Sequence, residues 1–224
     1  MSDLFRNPIT FVRGKKAEET KRIGIVSSCR GAGGTFYCSQ MALKSKNSAH
    51  IVELGKSNYY LAYGMERRFL GQKLVFCDQA AGTEKVADSF VTMFGLSYLV
   101  RDPKVAEALS YEQLCKLILF APNGDVFYDF SGVAEDLVLS LISEMDEVYI
   151  VIDPLPTKLL GSARFLEKLR LSYPKAQLVV NRMNKGVHRP ELKRFLGGDF
   201  TEIPAYPIEK IYSAEYNCTI CDFT

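Results

Sequence analysis

Apolar residues along this chain occur either in short continuous runs or at a spacing of three to four positions. Continuous runs are typical of strands buried on both faces, and the wider spacing is typical of helices with one buried side. The runs predict strands at residues 22–27, 50–54, 96–100, 126–130, 148–152 and 176–180. The wider spacing predicts a helix from residue 36 onward and further helices at residues 59–69, 86–94, 105–120, 135–145 and 157–171.

Strands and helices alternate along the chain without an internal repeat or a change in composition. This order predicts one doubly wound α/β domain over residues 21–224, with a mostly parallel sheet and helices on both faces. Residues 1–20 are polar and basic around a few apolar side chains. We expect them to form an N-terminal extension laid over the domain rather than part of its sheet.

The turn after the first strand, Gly31-Ala32-Gly33-Gly34, has almost no side chains, and we call it the glycine turn. A strand, a glycine-rich turn and a helix together present bare backbone N–H groups and a helix N-terminus to a phosphate. A Cβ would block the close approach of such a ligand. Thr35 is expected to cap the helix that follows. The turn therefore predicts phosphate binding by its backbone, with a ligand-free turn as the alternative.

The side chains of a complete phosphate-binding loop are missing after this turn. That loop has the motif G-x-x-x-x-G-K-[ST], in which Lys binds phosphate and the hydroxyl residue binds Mg²⁺. Thr35 and Phe36 follow Gly34 at the corresponding positions. A dinucleotide motif, G-x-G-x-x-G, would also need glycine at position 36, although Glu53 lies about where such a fold places its ribose acid. A dinucleotide-dependent oxidoreductase therefore remains an alternative.

Polar residues follow three of the predicted strands, and ligands bind at the carboxyl ends of parallel strands. These loops lie at residues 30–35, 129–132 and 181–182. Asp129 is placed to reach Mg²⁺ through water, and Gly132 is placed to donate a backbone N–H to a terminal phosphate. The alternative role of Asp129 is to cap the next helix.

Composition excludes little. The 224 residues are 47% hydrophobic and 24% charged with a net charge of +2, as in an ordinary globular protein. The sequence shows neither a signal peptide nor an apolar run near the ~20 residues of a membrane span. The six cysteines form no framework, and Cys218 and Cys221 lack further zinc ligands. We expect thiols in a cytoplasmic protein and no metal site.

With these loops placed, the chain resembles the MinD/ParA superfamily of P-loop ATPases, and most of all its atypical TadZ/CpaE-like branch. Family members carry K-G-G-x-G-K-[ST] after the first strand. They also carry a strand ending in D-x-x-x-G or similar, and an Asn-Arg or similar pair that holds adenine. The likeness spans residues 21–220, and the matching segments are residues 30–36, 95–101, 129–132 and 179–182.

The resemblance implies a role for each matching residue. Arg30 takes the place of the signature lysine that reaches across a dimer, and Ala32 replaces a glycine. Glu53 and Gly55 stand where an acidic pair often lies, so the usual water-positioning Asp is not assured. No catalytic residue is assigned, and the nucleotide-binding residues implied are Arg30, Gly31, Ala32, Gly33, Gly34, Thr35, Phe36, Asp129, Gly132, Asn181 and Arg182.

Taken as a whole, the resemblance implies a degenerate, dimeric localisation or assembly factor with a protein partner in a localisation, secretion or pilus machinery. Without Lys at 35 and a hydroxyl at 36, ATP or ADP can still bind, Mg²⁺ is doubtful and hydrolysis is expected to be negligible. An active ATPase that uses Arg30 as its cation is the alternative. Basic residues between 158 and 194 imply nonspecific DNA as a further partner, as in relatives that ride on the nucleoid. The basic amphipathic helix that ends many MinD proteins is absent from residues 216–224.

Overall fold

One eight-stranded sheet organises the computed structural model, which describes residues 20–83 and 85–205. Its strands in chain order are β1 (Lys21–Ser27), β2 (Ala49–Glu53), β3 (Val91–Met93), β4 (Leu96–Leu99), β5 (Asp125–Asp129), β6 (Glu147–Ile152), β7 (Gln177–Met183) and β8 (Thr201–Pro204). The spatial order is β3-β4-β2-β5-β1-β6-β7-β8. Every pair is parallel except the β3–β4 hairpin at one edge. The doubly wound, mostly parallel sheet is confirmed.

Helices cover both faces of this sheet and bury a separate apolar cluster on each. They are α1 (Gly34–Lys44), α2 (Tyr59–Ala62), α3 (Met65–Arg68), α4 (Cys77–Ala80), α5 (Tyr111–Leu119), α6 (Glu135–Leu141), α7 (Pro156–Ser172) and α8 (Arg189–Leu196). None of those in the described ranges has the length and apolar character needed to cross a membrane. Three predictions concern residues outside the described ranges: the N-terminal extension (residues 1–20, of which only Thr20 is described), the pair Cys218 and Cys221, and residues 216–224.

The central strands form where the sequence is continuously apolar. In β6, Ile150, Val151 and Ile152 are all fully buried, because successive side chains point to opposite faces and a helix layer covers each face. Full burial of such a side chain contributes about 1.5–3 kcal/mol. The six predicted strands are therefore present, with ends that differ by no more than a few residues from the predicted ones.

The helix predicted over residues 86–94 is wrong. The chain instead makes a single 3₁₀ turn at Ala87–Ser89 and then enters β3. Phe94 and Gly95 both have positive φ, 54° and 78°, which closes a tight hairpin between β3 and β4. Pairing with the edge of the sheet thus overrides the weak helical spacing of this segment.

Two further predicted helices are shorter than expected. The helix expected over 105–120 begins at Tyr111, because Ser110 accepts the N–H of Gln113 while the Gln113 side chain accepts the N–H of Ser110. This reciprocal capping box fixes the helix start. The segment 59–69 divides into α2 and α3 at Gly64, whose φ is 59°. The sequence analysis also missed α8 and β8.

Candidate functional site

The carboxyl edge of the sheet brings the three predicted loops together. The glycine turn follows β1, residues 130–132 follow β5, and residues 181–182 lie near the end of β7. The turn and residues from the other loops surround a cavity of about 860 Å³, which we call the turn cavity. This volume is within the range of about 300–1,000 Å³ that is typical of small-molecule sites. Of the predicted residues, those in its wall are Arg30, Gly31, Gly33, Gly34, Thr35, Phe36, Gly132 and Arg182.

The glycine turn leads directly into α1. Gly33 is the N-cap residue with a φ of 100°, a backbone conformation that favours glycine, and no side chain caps the helix. The prediction that Thr35 is the cap is therefore wrong, since Thr35 lies within the first helical turn. Uncapped N–H groups at the start of a helix need a partner, and an anion is a suitable one.

Asn181 ties the end of β7 to this turn. Its Nδ2 donates a 2.9 Å hydrogen bond to the carbonyl oxygen of Ala32, and its Oδ1 accepts the N–H of Arg182. Ala32 is fully buried and Asn181 is nearly so. A Cβ at Gly33 would overlap the Asn181 amide, so the contact requires glycine at that position. Asn181 therefore braces the turn.

Positive charge predominates around the turn cavity. Arg30, Lys56 and Arg182 line it, and in the described ranges Glu135 is its one acidic side chain. The cations come from the loop after β1, the loop after β2 and the end of β7, and the Lys56 ammonium also donates to the carbonyl oxygen of Val105. Three positive groups against one negative group give the cavity a potential that attracts anions.

Two buried donors on residues that line this cavity have no hydrogen-bond partner within the described residues. They are the hydroxyl of Ser28 and the side-chain amide nitrogen of Gln40, whose residues are 5% and 9% exposed. Buried polar groups are almost always paired, and leaving one unpaired costs about 1–3 kcal/mol. Both atoms lie beneath the surface of the cavity, so these unpaired groups do not by themselves indicate a ligand.

The loop after β5 contacts both the end of β1 and the loop after β2. The hydroxyl of Ser131 in this loop forms a 2.9 Å hydrogen bond with the hydroxyl of Ser27 at the end of β1. A Cβ at Gly55 would overlap the carbonyl oxygen of Ser131 and lie 2.9 Å from the carbonyl carbon of Gly132. Backbone meets backbone here, so this conformation has no room for a carboxylate side chain at position 55.

Asp129 is completely buried at the end of β5. Its Oδ1 accepts the N–H of Ser131 at 2.8 Å, while its Oδ2 has no hydrogen-bond partner within the described residues. The alternative role as a helix cap is wrong, because Ala134 is the N-cap residue of α6. Across residues 20–83 and 85–205 no cluster of three His, Cys, Asp or Glu side chains could hold a metal. Phe36 also offers no oxygen ligand to Mg²⁺.

Glu53 lies beside Asp129 in the paired strands β2 and β5. Its two carboxylate oxygens accept the backbone N–H groups of Ser57 at 2.6 Å and Arg101 at 3.0 Å. Burial raises the pKa of Glu53 to about 7, an effect that these hydrogen bonds reduce and the charge of Asp129 increases. A carboxylate used in this way is not available to a ribose, so the geometry does not support the dinucleotide alternative.

A second, largely apolar cleft of about 1100 Å³ lies beside the turn cavity, between α7, α8 and the ends of β6 and β7. Gly33, Phe36 and Arg182 belong to the walls of both. Asn181 lines this second cleft, and so do Leu155 and Leu159. A nucleotide that places its phosphates at the glycine turn would thus find an apolar surface next to it.

Asp153, which the sequence analysis did not single out, holds two cations at this edge. Lys158 and Arg182 each donate to its Oδ2 at 2.7 Å, and we call the three residues the Asp153 cluster. Burial acts to raise the pKa of Asp153, but the hydrogen bonds from Lys158 and Leu155 and the charges of Lys158 and Arg182 outweigh it and lower that pKa. Its position directly after a buried strand could have identified Asp153 in the sequence, because ligands bind at the carboxyl ends of parallel strands.

Part of the basic stretch from 158 to 194 is neutralised within the fold. Lys158, Arg189 and Lys193 pair with Asp153, Glu202 and Asp199. The guanidinium of Arg170 donates to the carbonyl oxygens of Leu196 and Gly197. These contacts reduce the positive charge that this half of the domain offers to a DNA backbone.

Comparison with solved structures identifies the fold. A ParA family ATPase from Chlorobium tepidum superposes with a TM-score of 0.67 at 18% identity, covering 88% of each chain. The fold is that of ParA and MinD ATPases. A putative plasmid partition protein from Borrelia burgdorferi bound to AMPPNP has a TM-score of 0.67 at 15% identity, covering 89% of this chain and 90% of that one.

The MinC:MinD cell division complex of Aquifex aeolicus gives a TM-score of 0.67 at 18% identity, with 87% of this chain and 84% of that chain covered. No protein-family model and no curated protein matches the sequence. The likeness is therefore one of fold.

The raised pKa of Glu53 predicts a specific pH dependence of stability. Because the folded state holds this proton more tightly than the unfolded state, the contribution of Glu53 to stability is greatest below pH 4.5, falls as pH rises to about 7 and is then constant. The shift corresponds to roughly 3 kcal/mol. When the free energy of unfolding is measured with urea at several pH values, the Glu53→Gln variant should lack this decrease between pH 4.5 and about 7.

The matched control is Glu167→Gln, at an exposed position, which should show the same decrease in stability with pH as the wild type. Identical pH profiles for Glu53→Gln and the wild type would show that Glu53 does not titrate in this range.

Proposed function

We propose that this protein is a degenerate member of the MinD/ParA superfamily that binds ATP or ADP at the glycine turn and hydrolyses ATP slowly or not at all. The observation that carries the proposal is the turn cavity itself. It combines a bare, uncapped helix start with three cations. Charge-assisted hydrogen bonds of this kind suit phosphate oxygens.

Weak hydrolysis follows from two positions. Phosphoryl transfer depends on positioning of the attacking water and on charge stabilisation, usually with Mg²⁺. Gly55 packs against the backbone of Ser131, so the acid that would position water has no place in this conformation. Phe36 supplies no hydroxyl to a metal. An active ATPase that relies on Arg30 would still lack both groups.

The biological role in this proposal is that of a dimeric localisation or assembly factor of the TadZ/CpaE-like type, working with a protein partner such as a component of a pilus machinery. Arg30 is exposed at the glycine turn, where a residue can reach a second subunit. The fold shared with the MinC:MinD complex supports a role in protein assembly, since MinD is bound to a protein partner in that complex. Cytoplasmic location is part of the same proposal.

The experiment is calorimetric titration of the full chain with ATP, ADP and NAD, followed by a phosphate-release assay. We expect ATP and ADP to bind, NAD not to bind, and phosphate release to stay at the rate of the buffer blank. Sustained phosphate release would establish the ATPase alternative. NAD binding without ATP binding would establish the oxidoreductase alternative.

A double substitution restores the missing side chains. Thr35→Lys with Phe36→Thr should strengthen ATP and Mg²⁺ binding about tenfold or more, because it adds a charge-assisted hydrogen bond and a metal ligand. The measurement is the same titration with and without Mg²⁺.

Thr35→Lys alone is the control that separates charge from metal binding. A folded double variant with unchanged ATP affinity would contradict the match between this turn and the ATPase motif.

A further inference from the structure

The Asp153 cluster holds its two cations in fixed positions at the carboxyl edge of the sheet. The Asp153 side chain is fully buried, while those of Lys158 and Arg182 are 30% and 51% exposed. Both cations bind the same carboxylate oxygen, and the lowered pKa of Asp153 keeps that carboxylate ionised. Two positive groups on one negative group leave one net positive charge. That is the charge a lysine at position 35 would have supplied.

Both cations lie beside the glycine turn. The Lys158 ammonium is 3.8 Å from where a Cβ on Gly31 would lie. Arg182 lines the turn cavity, and it directly follows Asn181, which is hydrogen-bonded to the turn at Ala32. Because both cations bind the same Asp153 oxygen, they form one compact positive group beside a ligand seated on the backbone of the turn.

The position of Arg182 is set by its backbone as well as by Asp153. Its φ is 59°, a left-handed conformation that is uncommon outside glycine, and its N–H donates to the side chain of Asn181. The ion pair with Asp153 orders the long side chain before any ligand arrives, which lowers the entropic cost of binding. Strained non-glycine residues of this kind occur often at ligand sites.

We propose that Lys158 and Arg182 bind the phosphate groups of the nucleotide and replace the lysine that is missing at position 35. This inference rests on the proposed function and names the residues that supply its charge. It gives Arg182 a role different from the adenine contact that the family resemblance implies. It also places the substitute cations on α7 and β7, whereas the ATPase alternative assigned that task to Arg30.

The test measures displacement of a fluorescent ADP derivative by ADP and by pyrophosphate, which has phosphates and no base. The full-length protein is compared with Lys158→Met and Arg182→Met, and exposed Lys168→Met on the same helix is the matched control. Each of the first two variants should weaken both ADP and pyrophosphate about tenfold or more, because a charge-assisted hydrogen bond is lost. Lys168→Met should bind as the wild type does.

Conservative variants separate charge from folding. Lys158→Arg and Arg182→Lys keep the charge and should retain most of the affinity, with melting curves used to verify that every variant is folded. If a Met variant does not fold, the Gln variant at the same position takes its place in the same assay.

Three other outcomes would contradict the inference in whole or in part, and the first of them would also contradict the proposed function. A wild-type protein that binds neither ADP nor ATP overturns the proposed function and this inference with it. Wild-type binding with unchanged affinity in Lys158→Met and Arg182→Met overturns the inference alone. Loss of ADP affinity with unchanged pyrophosphate affinity in Arg182→Met would place Arg182 at the base and remove it from the phosphate site.

Discussion

The hydrogen bond from Asn181 to the carbonyl oxygen of Ala32 determines the geometry of this site. It joins β7 to a turn that follows β1, across the intervening strand β6, and it forms only because Gly33 has no side chain. With the turn held in this way, the start of α1 faces the turn cavity. Arg182, the next residue after Asn181, is brought to the same place. One buried amide thus links the backbone donors of the site to one of its cations.

Binding and hydrolysis depend on different parts of this edge. Phosphate binding needs backbone N–H groups and positive charge, and three separate segments contribute Arg30, Lys56 and Arg182 to the turn cavity. Hydrolysis needs a positioned water and, in most such enzymes, a metal. At those positions the chain has Gly55, packed against backbone, and Phe36, which has no oxygen. A protein can therefore lose turnover while it retains a surface that recognises nucleotide.

Much of the fold was predictable because burial on two faces requires continuous apolar runs, as in β5 and β6. The strand at 91–93 was not, since it is a short edge strand that pairs with β4 and its segment has weak helical spacing. The glycine turn and its companion loops followed from the rule that ligands bind at strand carboxyl ends. The Asp153 cluster did not, because it joins Asp153 and Lys158 to Arg182, which is 29 residues from Asp153 and belongs to another strand. Only the folded sheet brings them together.

The most direct test of a nucleotide site at the glycine turn is an amide chemical-shift map of the isotope-labelled protein during titration with ADP. The account predicts that the largest changes occur at the N–H groups of Gly31 to Thr35, with further changes at Gly132 and Arg182. Those groups lie at the turn cavity. Saturable changes confined to another face of the sheet, or no changes at millimolar ADP, would contradict it.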